Sequence, residues 1–489
     1  MDDAQPRSLH VGIIGAGLGG LAAAIALARG GCKVTILEAA SALGEIGAGI
    51  QMTPNVSRLL IRWGVSDIIG DNLVQCKYVN MRNKDGTIVQ RTELYPKTVR
   101  EYGFPWWVVR RDHLHEGLAE GARRHGVEIV VAARVKTLKW QDQEKVNVES
   151  EAGGKWEFDL VVGADGLKSI VRRSLFPDVT PRPPTNNAAY RVVMPYKEMW
   201  EKVPESRELF GNNIDVWGIE KGYVITYPIS AGRDWNTVLS HYRDYAPTDM
   251  EDDVDMQEAR DYFKDIDPRL KKVIDILPES KRWPLLVTGP LDSWSSKEKN
   301  VILMGDAAHS MTNHMAQGAA TSMEDGAFLG RLLAEVVRGV VTLQQAIGIY
   351  EKTRMPRAWL KQQTSFAMGA MYMAADQKMT DARDESSTRS VETTSEQEDI
   401  IALKEKPEIS GPDPNQRTWN FWGAPETVQS IFGYDPEGDA DQAVLMYLSE
   451  NTPWDKMTTM SSGVEKKWTA WWMPKEQIGR IGRSRGTKL

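Results

Sequence analysis

Apolar positions change their spacing twice within the first forty residues of this chain. Val11 to Ile14 form a short apolar run, which is typical of a strand buried on both faces. Small apolar residues then continue to about Gly31 and predict a helix, and the segment KVTIL at 33–37 predicts a second strand. The pattern therefore predicts strand, tight glycine turn, helix and strand in succession.

Further along, several segments alternate between apolar and polar residues with a period of two, as strands do. Residues 78–91 predict a hairpin with its turn at 84–86, and 128–150 predict antiparallel strands. A proline-rich stretch at 177–184 marks a boundary. Beyond it, AAYRVVMP, IDVWGIEKGYVITYPISAG and WNTVLSHYRD predict a mixed or antiparallel sheet in a second lobe.

Two apolar runs, FDLVVG and NVILMG, again predict buried strands that end in glycine/aspartate turns. The second run leads into a long predicted helix whose first turn is about 317–320. A later helical stretch carries Met368, Met371 and Met373, which we interpret as gap-filling core rather than as a binding surface.

These segments predict a discontinuous organisation. A nucleotide-binding domain is assigned to 8–80, 100–182 and 285–375, and a β-sheet substrate domain to 81–99 and 183–284. Residues 376–489 are assigned to a polar linker and a tryptophan-rich C-terminal extension. We expect the tryptophans of this extension to pack onto the body, with self-association, and hence a homodimer, as the alternative; they are Trp419, Trp422, Trp454, Trp468, Trp471 and Trp472.

Composition narrows the class of protein. A formal charge of −7 gives no field that would gather nucleic acid. With Cys32 and Cys76 as the two cysteines, neither a disulfide framework nor a thiolate metal site is expected, and a reducing, cytoplasmic location fits best. The apolar N-terminal run contains glycines and follows an acidic leader, which argues against a membrane helix or a signal peptide. The C-terminal TKL is a weak match to the peroxisomal tripeptide.

The first turn carries specific chemistry. Gly15, Gly17 and Gly20 have the spacing G-x-G-x-x-G, where the first glycine allows the turn and the second lets a pyrophosphate approach the backbone. The third lets the helix pack closely on the sheet. Glu38 ends the second strand, where a carboxylate can accept hydrogen bonds from both hydroxyls of an adenosine ribose. The combination predicts a dinucleotide site.

Two other positions have less specific signals. The loop containing Gly47 and Gly49 could let a nucleotide pass close to the backbone, and a flexible connector is an equally good interpretation. Arg111 stands at a strand-to-helix junction, where an arginine can bind a cofactor or simply be solvated.

Three ordered motifs together resemble the fingerprints of class A flavoprotein monooxygenases, and most closely those of the fungal salicylate-hydroxylase-like branch. The motifs are GAGLGG at 15–20 with Glu38, GADG at 163–166, and GDAAH at 305–309. The resemblance implies an α/β fold, as in p-hydroxybenzoate hydroxylase: a glutathione-reductase-like Rossmann FAD domain, a mixed β-sheet substrate domain and a helical C-terminal region.

The resemblance also implies roles for single residues. Glu38 would hold the adenosine ribose, Gly49 would lie along the nucleotide and Arg111 would contact the cofactor. Asp165 would serve FAD and the passing nicotinamide nucleotide, and Asp306 would bind the ribityl chain.

By the same resemblance, Gly318 and Ala319 would bring a helix N-terminus to the flavin pyrimidine, where it stabilises negative charge. The sequence departs from the family nearby, because relatives usually carry proline at the position of Asn313 and glycine at that of Ala316.

The activity implied by the resemblance is hydroxylation of an electron-rich phenolic metabolite with NAD(P)H and O2, through a flavin C4a-hydroperoxide. Alternatives are a salicylate-type decarboxylating hydroxylase, a flavin-dependent epoxidase and, more remotely, a flavin-binding regulator without turnover. Neither a metal nor a nucleic acid is expected to take part.

Arg191 and Tyr223 are the candidate substrate residues. Each occupies a strand face among apolar neighbours, and from the pattern alone a solvated arginine and a packing tyrosine would be the simpler interpretation. The resemblance reverses that preference, because an arginine and a tyrosine at matching strand positions of related fungal hydroxylases clasp the substrate phenolate.

Overall fold

The computed structural model describes residues 8–44, 47–141, 144–373 and 425–451. The strands, in chain order, are β1 (His10–Ile14), β2 (Lys33–Leu37), β3 (Gly49–Met52), β4 (Val74–Gln75), β5 (Tyr78–Arg82), β6 (Ile88–Glu93), β7 (Trp107–Arg110), β8 (Glu128–Val130), β9 (Val135–Lys139), β10 (Val146–Ser150), β11 (Lys155–Phe158), β12 (Leu160–Gly163), β13 (Asn187–Pro195), β14 (Ile214–Ile219), β15 (Gly222–Ile229), β16 (Asp234–Tyr242), β17 (Glu251–Val254), β18 (Ser280–Pro284) and β19 (Val301–Leu303).

The α-helices are α1 (Leu18–Arg29), α2 (Pro54–Arg62), α3 (Val65–Ile69), α4 (Lys97–Tyr102), α5 (Arg111–Arg124), α6 (Ile170–Leu175), α7 (Tyr196–Lys202), α8 (Ser206–Leu209), α9 (Gln257–Tyr262), α10 (Pro268–Asp275), α11 (Asp306–His309), α12 (Gly318–Val337), α13 (Leu343–Tyr372), α14 (Pro425–Phe432) and α15 (Pro436–Asn451). Short 3-10 turns lie at Gly70–Asn72 and Asn313–Met315.

A five-stranded parallel sheet with the order β19-β12-β1-β2-β8 forms the centre of the first lobe. Its apolar runs are buried, as expected for parallel strands covered on both faces. Helix α12 packs against α1 through small residues: a side chain added at Gly330 would come within 2.4 Å of the Ala26 backbone. This confirms the predicted Rossmann-type unit and its continuation by a late segment of the chain.

The second lobe contains an eight-stranded sheet with the order β17-β18-β13-β16-β15-β14-β5-β6. Strand β5 pairs in parallel with β14, and the remaining pairs are antiparallel, so the predicted mixed sheet is confirmed. Because β5 starts at Tyr78, it crosses the predicted domain limit at residue 80. The domain limits themselves stay a prediction.

The two faces of this sheet have different environments. Tyr190, Trp217 and Trp235 belong to an apolar cluster under α7–α10, whereas Tyr223 and Tyr227 belong to a cluster on the other face. The alternation follows from the two-residue period of a strand. One face therefore closes the lobe and the other is available to line a cavity.

The C-terminal region is helical where it is described. Helices α14 and α15 contact α2 and α12 respectively. Met368 and Met373 are buried and Met371 is half-buried in the cluster that contains Tyr223, which confirms them as core. The six tail tryptophans and the C-terminal TKL lie outside the described residues. Among the described residues, no helix has the length and apolar character needed to cross a bilayer.

Candidate active site

A cavity of about 700 Å³ lies between the carboxyl ends of the parallel strands and the inner face of the eight-stranded sheet. Eleven of the predicted site residues line it: Gly15, Gly17, Glu38, Gly49, Arg111, Asp165, Arg191, Tyr223, Asp306, Gly318 and Ala319. Gly20 is the one predicted residue that does not. The structure thus brings positions from 15 to 319 to one place.

Strand register explains this convergence. Ile14 pairs with both Leu37 and Gly163, and Gly163 pairs with Leu303, so four parallel strands end side by side. The residues that follow these ends carry the glycine turn and the three acidic side chains. Ligands of open α/β sheets bind at this carboxyl edge.

The first turn uses its three glycines differently. Gly15 has φ +103°, and a side chain there would lie 2.7 Å from the Ala164 carbonyl oxygen. At Gly17 a side chain would meet no atom within 4 Å, so the backbone there borders open cavity. At Gly20 it would lie 2.1 Å from the Gly15 carbonyl oxygen, which explains why Gly20 serves packing.

Backbone N–H groups of the first lobe fix the Glu38 carboxylate at the end of β2. Its carboxylate accepts the Ala16 N–H on one oxygen and the Ala40 N–H on the other, each at 2.7 Å. A carboxylate has about four acceptor sites, so hydroxyl donors can still bind there. With the open backbone at Gly17, this arrangement fits the ribose and pyrophosphate of a dinucleotide.

Asp165 makes its hydrogen bonds within the chain. It accepts Ser169 Oγ at 2.5 Å and the backbone N–H groups of Ile170 and Val171 at 2.6 and 3.2 Å, and so fixes the start of α6. Burial raises the pKa of this carboxyl. Its role toward a cofactor remains a prediction.

The third motif begins at a helix N-terminus. Gly305 has φ +57° and precedes α11, which begins at Asp306. Gly318 and Ala319 begin α12, whose first N–H groups have no partner within the helix. Ala316 has φ +53°, a left-handed conformation that is costly for a residue with a side chain. Glycine, which the family resemblance implies at this position, would adopt that conformation without strain.

Gly49 lies in a strand. It pairs with Arg110, and its N–H donates to Asn236 Oδ1 at 2.7 Å. A side chain at Gly49 would lie 2.5 Å from the Tyr227 ring, so this position joins the two lobes closely. A flexible connector is therefore the wrong interpretation for Gly49, because it belongs to a paired strand.

The far end of the cavity is lined by side chains of the eight-stranded sheet. Arg191 is half-buried there. Its guanidinium interacts electrostatically with Tyr223 and Tyr227, which line the same cavity. No side chain of the described residues forms a hydrogen bond or an ion pair with its guanidinium. Burial and the nearby Arg111 lower the pKa of Arg191. Among the residues that the structure describes, this cation therefore has no counter-ion, and it faces a cavity that Tyr223 and Tyr227 also line.

His314 is a cavity residue that the sequence analysis did not single out. Its Nδ1 lies 3.0 Å from the Tyr223 hydroxyl, and its ring packs against Gly369 of α13. Burial lowers the pKa of His314 to about 3, so the ring is neutral. Burial also raises the pKa of Tyr223, which keeps the phenol protonated. The departures from the family pattern on either side of His314 were the signal that could have pointed to it.

No group of three or more His, Cys, Asp or Glu side chains within the described parts of the chain could hold a metal ion. The two cysteines are free and buried. The charged groups that line the cavity include the Glu38 carboxylate at the end of β2 and the Arg191 guanidinium on the eight-stranded sheet.

One protein family matches the part of the chain that contains all the predicted site residues. A family model described as FAD binding domain matches residues 8–365. The chain belongs to this family. The match spans all three motifs and both lobes, and FAD is accordingly the cofactor that the glycine turn and Glu38 would hold.

Individual relatives define the type of enzyme within the family. The chain is 30% identical to the FAD-dependent monooxygenase OpS4 of Beauveria bassiana, over 89% of this chain and 97% of that protein. It is 32% identical to the 3-hydroxybenzoate 6-hydroxylase of Klebsiella oxytoca, over 74% and 88%. The chain is an FAD-dependent monooxygenase of the aromatic-hydroxylase type.

A solved structure supports the fold assignment. A salicylate hydroxylase substrate complex superposes with a TM-score of 0.69 at 20% identity, covering 89% of this chain and 98% of that one. The predicted combination of a Rossmann FAD domain, a mixed substrate sheet and a helical C-terminal region is confirmed.

Proposed function

We propose that this FAD-dependent monooxygenase hydroxylates an electron-rich phenolic metabolite, using NAD(P)H and O2 as co-substrates. The observation that carries the proposal is the Arg191 guanidinium, which faces an aromatic cavity without a protein counter-ion among the described residues. A half-buried cation in such a cavity favours an opposite charge beside it, and a substrate can supply that charge.

Arg191 and Tyr223 would clasp the substrate oxygen. A guanidinium favours the ionised form of a neighbouring phenol and so lowers its pKa. The resulting phenolate is the electron-rich form of the ring. The Tyr223 hydroxyl would fix the ring by a hydrogen bond, and neutral His314 would orient that hydroxyl.

Apolar side chains surround this polar pair. Val79, Ile214, Val216, Ile225 and Val238 line the same cavity. They would hold the face of an aromatic ring and exclude water from the oxygen chemistry. A flat, mostly apolar substrate with one acidic oxygen fits this lining.

At the other end, the chain's own residues would bind and orient the cofactor. The backbone at Gly15 and Gly17 would accommodate the pyrophosphate, Glu38 the ribose, and Asp306 the ribityl chain. Gly49, Arg111 and Asp165 would lie along the nucleotide, and the α12 N-terminus at Gly318 and Ala319 would stabilise negative charge on the flavin by ~0.3–1 kcal/mol. When bound, FAD supplies the electron transfer and the activation of dioxygen.

A salicylate-type decarboxylating hydroxylation is the second candidate, because a carboxylate would pair with Arg191 as well as a phenolate does. The names of two of the similar proteins, a 3-hydroxybenzoate hydroxylase and a salicylate hydroxylase, refer to hydroxybenzoates. A product that retains every carbon of the substrate would favour simple hydroxylation. Release of CO2 would favour the second candidate.

The test follows NADH and NADPH oxidation by the yellow, FAD-loaded protein with a panel of phenols and phenolic acids. Oxidation should be slow in buffer and accelerate with the correct phenol, and acid precipitation should release about one FAD per chain. Equal rates with all phenols and with buffer alone would count against the proposal. A colourless, folded protein that refuses added FAD would remove its basis.

The charge balance and the two buried thiols support a cytoplasmic location, which we propose together with the absence of a nucleic-acid partner. A homodimer remains a proposal as well, and light scattering of the purified protein would test it.

A further inference from the structure

A cluster of buried charges lies between α12 and α13, on the protein side of the helix that begins at the cavity. It consists of Glu324, Asp325, Arg354, Arg357 and Lys361, and we call it the Glu324 cluster. The side chains of Glu324, Asp325 and Arg354 are fully buried, and that of Lys361 is 3% exposed. Charges at such depth are rare unless they are paired.

Four members of the cluster balance one another. Arg354 contacts Glu324 at 3.0 Å and Asp325 at 2.8 Å, and Arg357 contacts Glu324 at 2.9 Å. Two guanidinium groups therefore compensate two carboxylates. Lys361 adds a further positive charge, which the internal pairing of the cluster does not require.

Lys361 connects the cluster to the cavity. Its Nζ donates to Glu324 Oε1 at 2.7 Å and to Gln317 Oε1 at 3.1 Å. Gln317 immediately precedes Gly318 and Ala319 and is also anchored by donating to Thr53 Oγ1 at 2.9 Å. The ammonium group thus helps to hold the residue that precedes α12, together with Thr53 and with Asn55, whose Nδ2 donates to the same Gln317 oxygen at 3.2 Å.

The surrounding charges define how Lys361 titrates. Burial lowers the pKa of Lys361 to about 7, with Glu324 opposing that shift and Arg357 and Arg354 adding to it. Beyond these, Glu324 lies within the electrostatic reach of Arg58 on α2 and of Tyr434 before α15. His309 of α11 contacts Asp325 at 2.6 Å.

We propose that Lys361 is a positioning residue for the flavin: it holds Gln317 and places one positive charge behind the N-terminus of α12, which favours the negatively charged, reduced flavin over the oxidised form. This inference rests on the proposed placement of the flavin pyrimidine at Gly318 and Ala319. The effect adds to that of the helix N-terminus itself.

The experiment measures the midpoint potential of the bound flavin in wild type and in Lys361→Met. The variant should fold and retain FAD, because Glu324 and Asp325 keep their two arginines. It should bind reduced flavin about tenfold more weakly relative to oxidised flavin, which is ~30 mV for a two-electron couple. Lys352→Met is the matched control, since Lys352 is on the same helix with its side chain 78% exposed; its potential should equal that of wild type.

Dependence on pH separates charge from packing. Reduction places a negative charge near Lys361 and raises its pKa, so above about pH 7 the wild type takes up an additional proton on reduction. Its potential should therefore fall more steeply with pH there, by up to ~30 mV per pH unit. Lys361→Met should lack this additional slope.

Lys361→Gln keeps a hydrogen-bond donor without the charge and replaces Lys361→Met if the latter does not fold. An unchanged potential and an unchanged pH slope in a folded, FAD-loaded variant would overturn the inference and leave the proposed function intact. A wild-type protein that binds no flavin would instead overturn the proposed function.

Discussion

The two ends of the cavity differ in the groups that line them. At the nucleotide end, backbone groups and short side chains follow the ends of parallel strands, and Gly15, Gly17 and Glu38 are neighbours through the register of a single sheet. At the substrate end, large side chains from separate elements meet, as Tyr223 and His314 do across 91 residues of sequence. Under the proposed function, the first end would bind a shape shared by all dinucleotides, whereas the second would select the substrate.

The largest expected effect comes from substitutions in the glycine turn, which test the roles assigned to the nucleotide end. Gly20→Ala should lower the free energy of unfolding of the FAD-free protein by ~1–3 kcal/mol, because the new methyl group lies 2.1 Å from a carbonyl oxygen. Gly17→Ala should leave that free energy within about 0.5 kcal/mol and should weaken FAD binding instead, since its methyl group points into open cavity. Urea unfolding and fluorescence titration with FAD measure the two effects, and equal destabilisation of both variants would contradict the assigned roles.

At the substrate end, Arg191→Ala should lose at least about tenfold in hydroxylation efficiency, because a hydrogen bond to a charged partner contributes ~1.5–3 kcal/mol. Tyr223→Phe should lose less, and both variants should keep FAD. The measurement is product formed per NAD(P)H consumed. If Arg191→Ala keeps the wild-type rate and the wild-type yield of product per NAD(P)H, Arg191 has a structural role. The proposed assignment of substrate binding to this end of the cavity would then be wrong.

His314 gives the substrate end a dependence on pH. Its pKa is about 3 in the folded protein and near 6.5 when unfolded, so between these values only the unfolded chain binds this proton. The contribution of neutral His314 to the free energy of unfolding is therefore complete above pH 6.5. It is lost as the pH falls toward 3, by up to ~1.4 kcal/mol per pH unit. His314→Phe should show a shallower decline of unfolding free energy between pH 6.5 and 5; parallel curves would show that His314 is not buried in the neutral form.

The smallest effect concerns Ala316, at the boundary between the two ends. Ala316→Gly should stabilise the protein by up to ~1 kcal/mol, because relief of the left-handed strain exceeds the entropy that glycine loses. Ala443→Gly, in the middle of α15, should instead cost ~1 kcal/mol. Thermal unfolding of the two variants should therefore shift in opposite directions.

Sequence alone predicted that Gly15, Gly17 and Glu38 would lie together, because this geometry follows from local patterns: a strand, a glycine spacing and an acid at the next strand end. For Arg191 and Tyr223 the two-residue period alone favoured a solvated and a packing role, and only the family resemblance pointed to the cavity that both residues line. The sequence did not reveal His314 or Lys361. Their partners are 91 and 37 residues away, and no spacing rule connects a loop histidine to a tyrosine on another strand.

The neighbours of a strand within its sheet were harder to predict, for a related reason. The hairpin β5–β6 was recognised, but its pairing with β14, which aligns Val79 with Ile214, joins segments of very different sequence position. Local alternation predicts a strand and does not predict its neighbour.

The order of the parallel sheet has a consequence for how the chain is made. Strand β19 pairs with β12 through Val301 and Val161, so the sheet that starts at residue 10 is complete only after residue 303 has left the ribosome. Contacts between such distant segments form late, because the entropy of closing a large loop is lost before the contacts can stabilise the chain. Until then the edge of β12 is unpaired and open to association with other chains. During synthesis, therefore, the sheet that carries the first motif is completed only once the strand that leads into the third motif has been made.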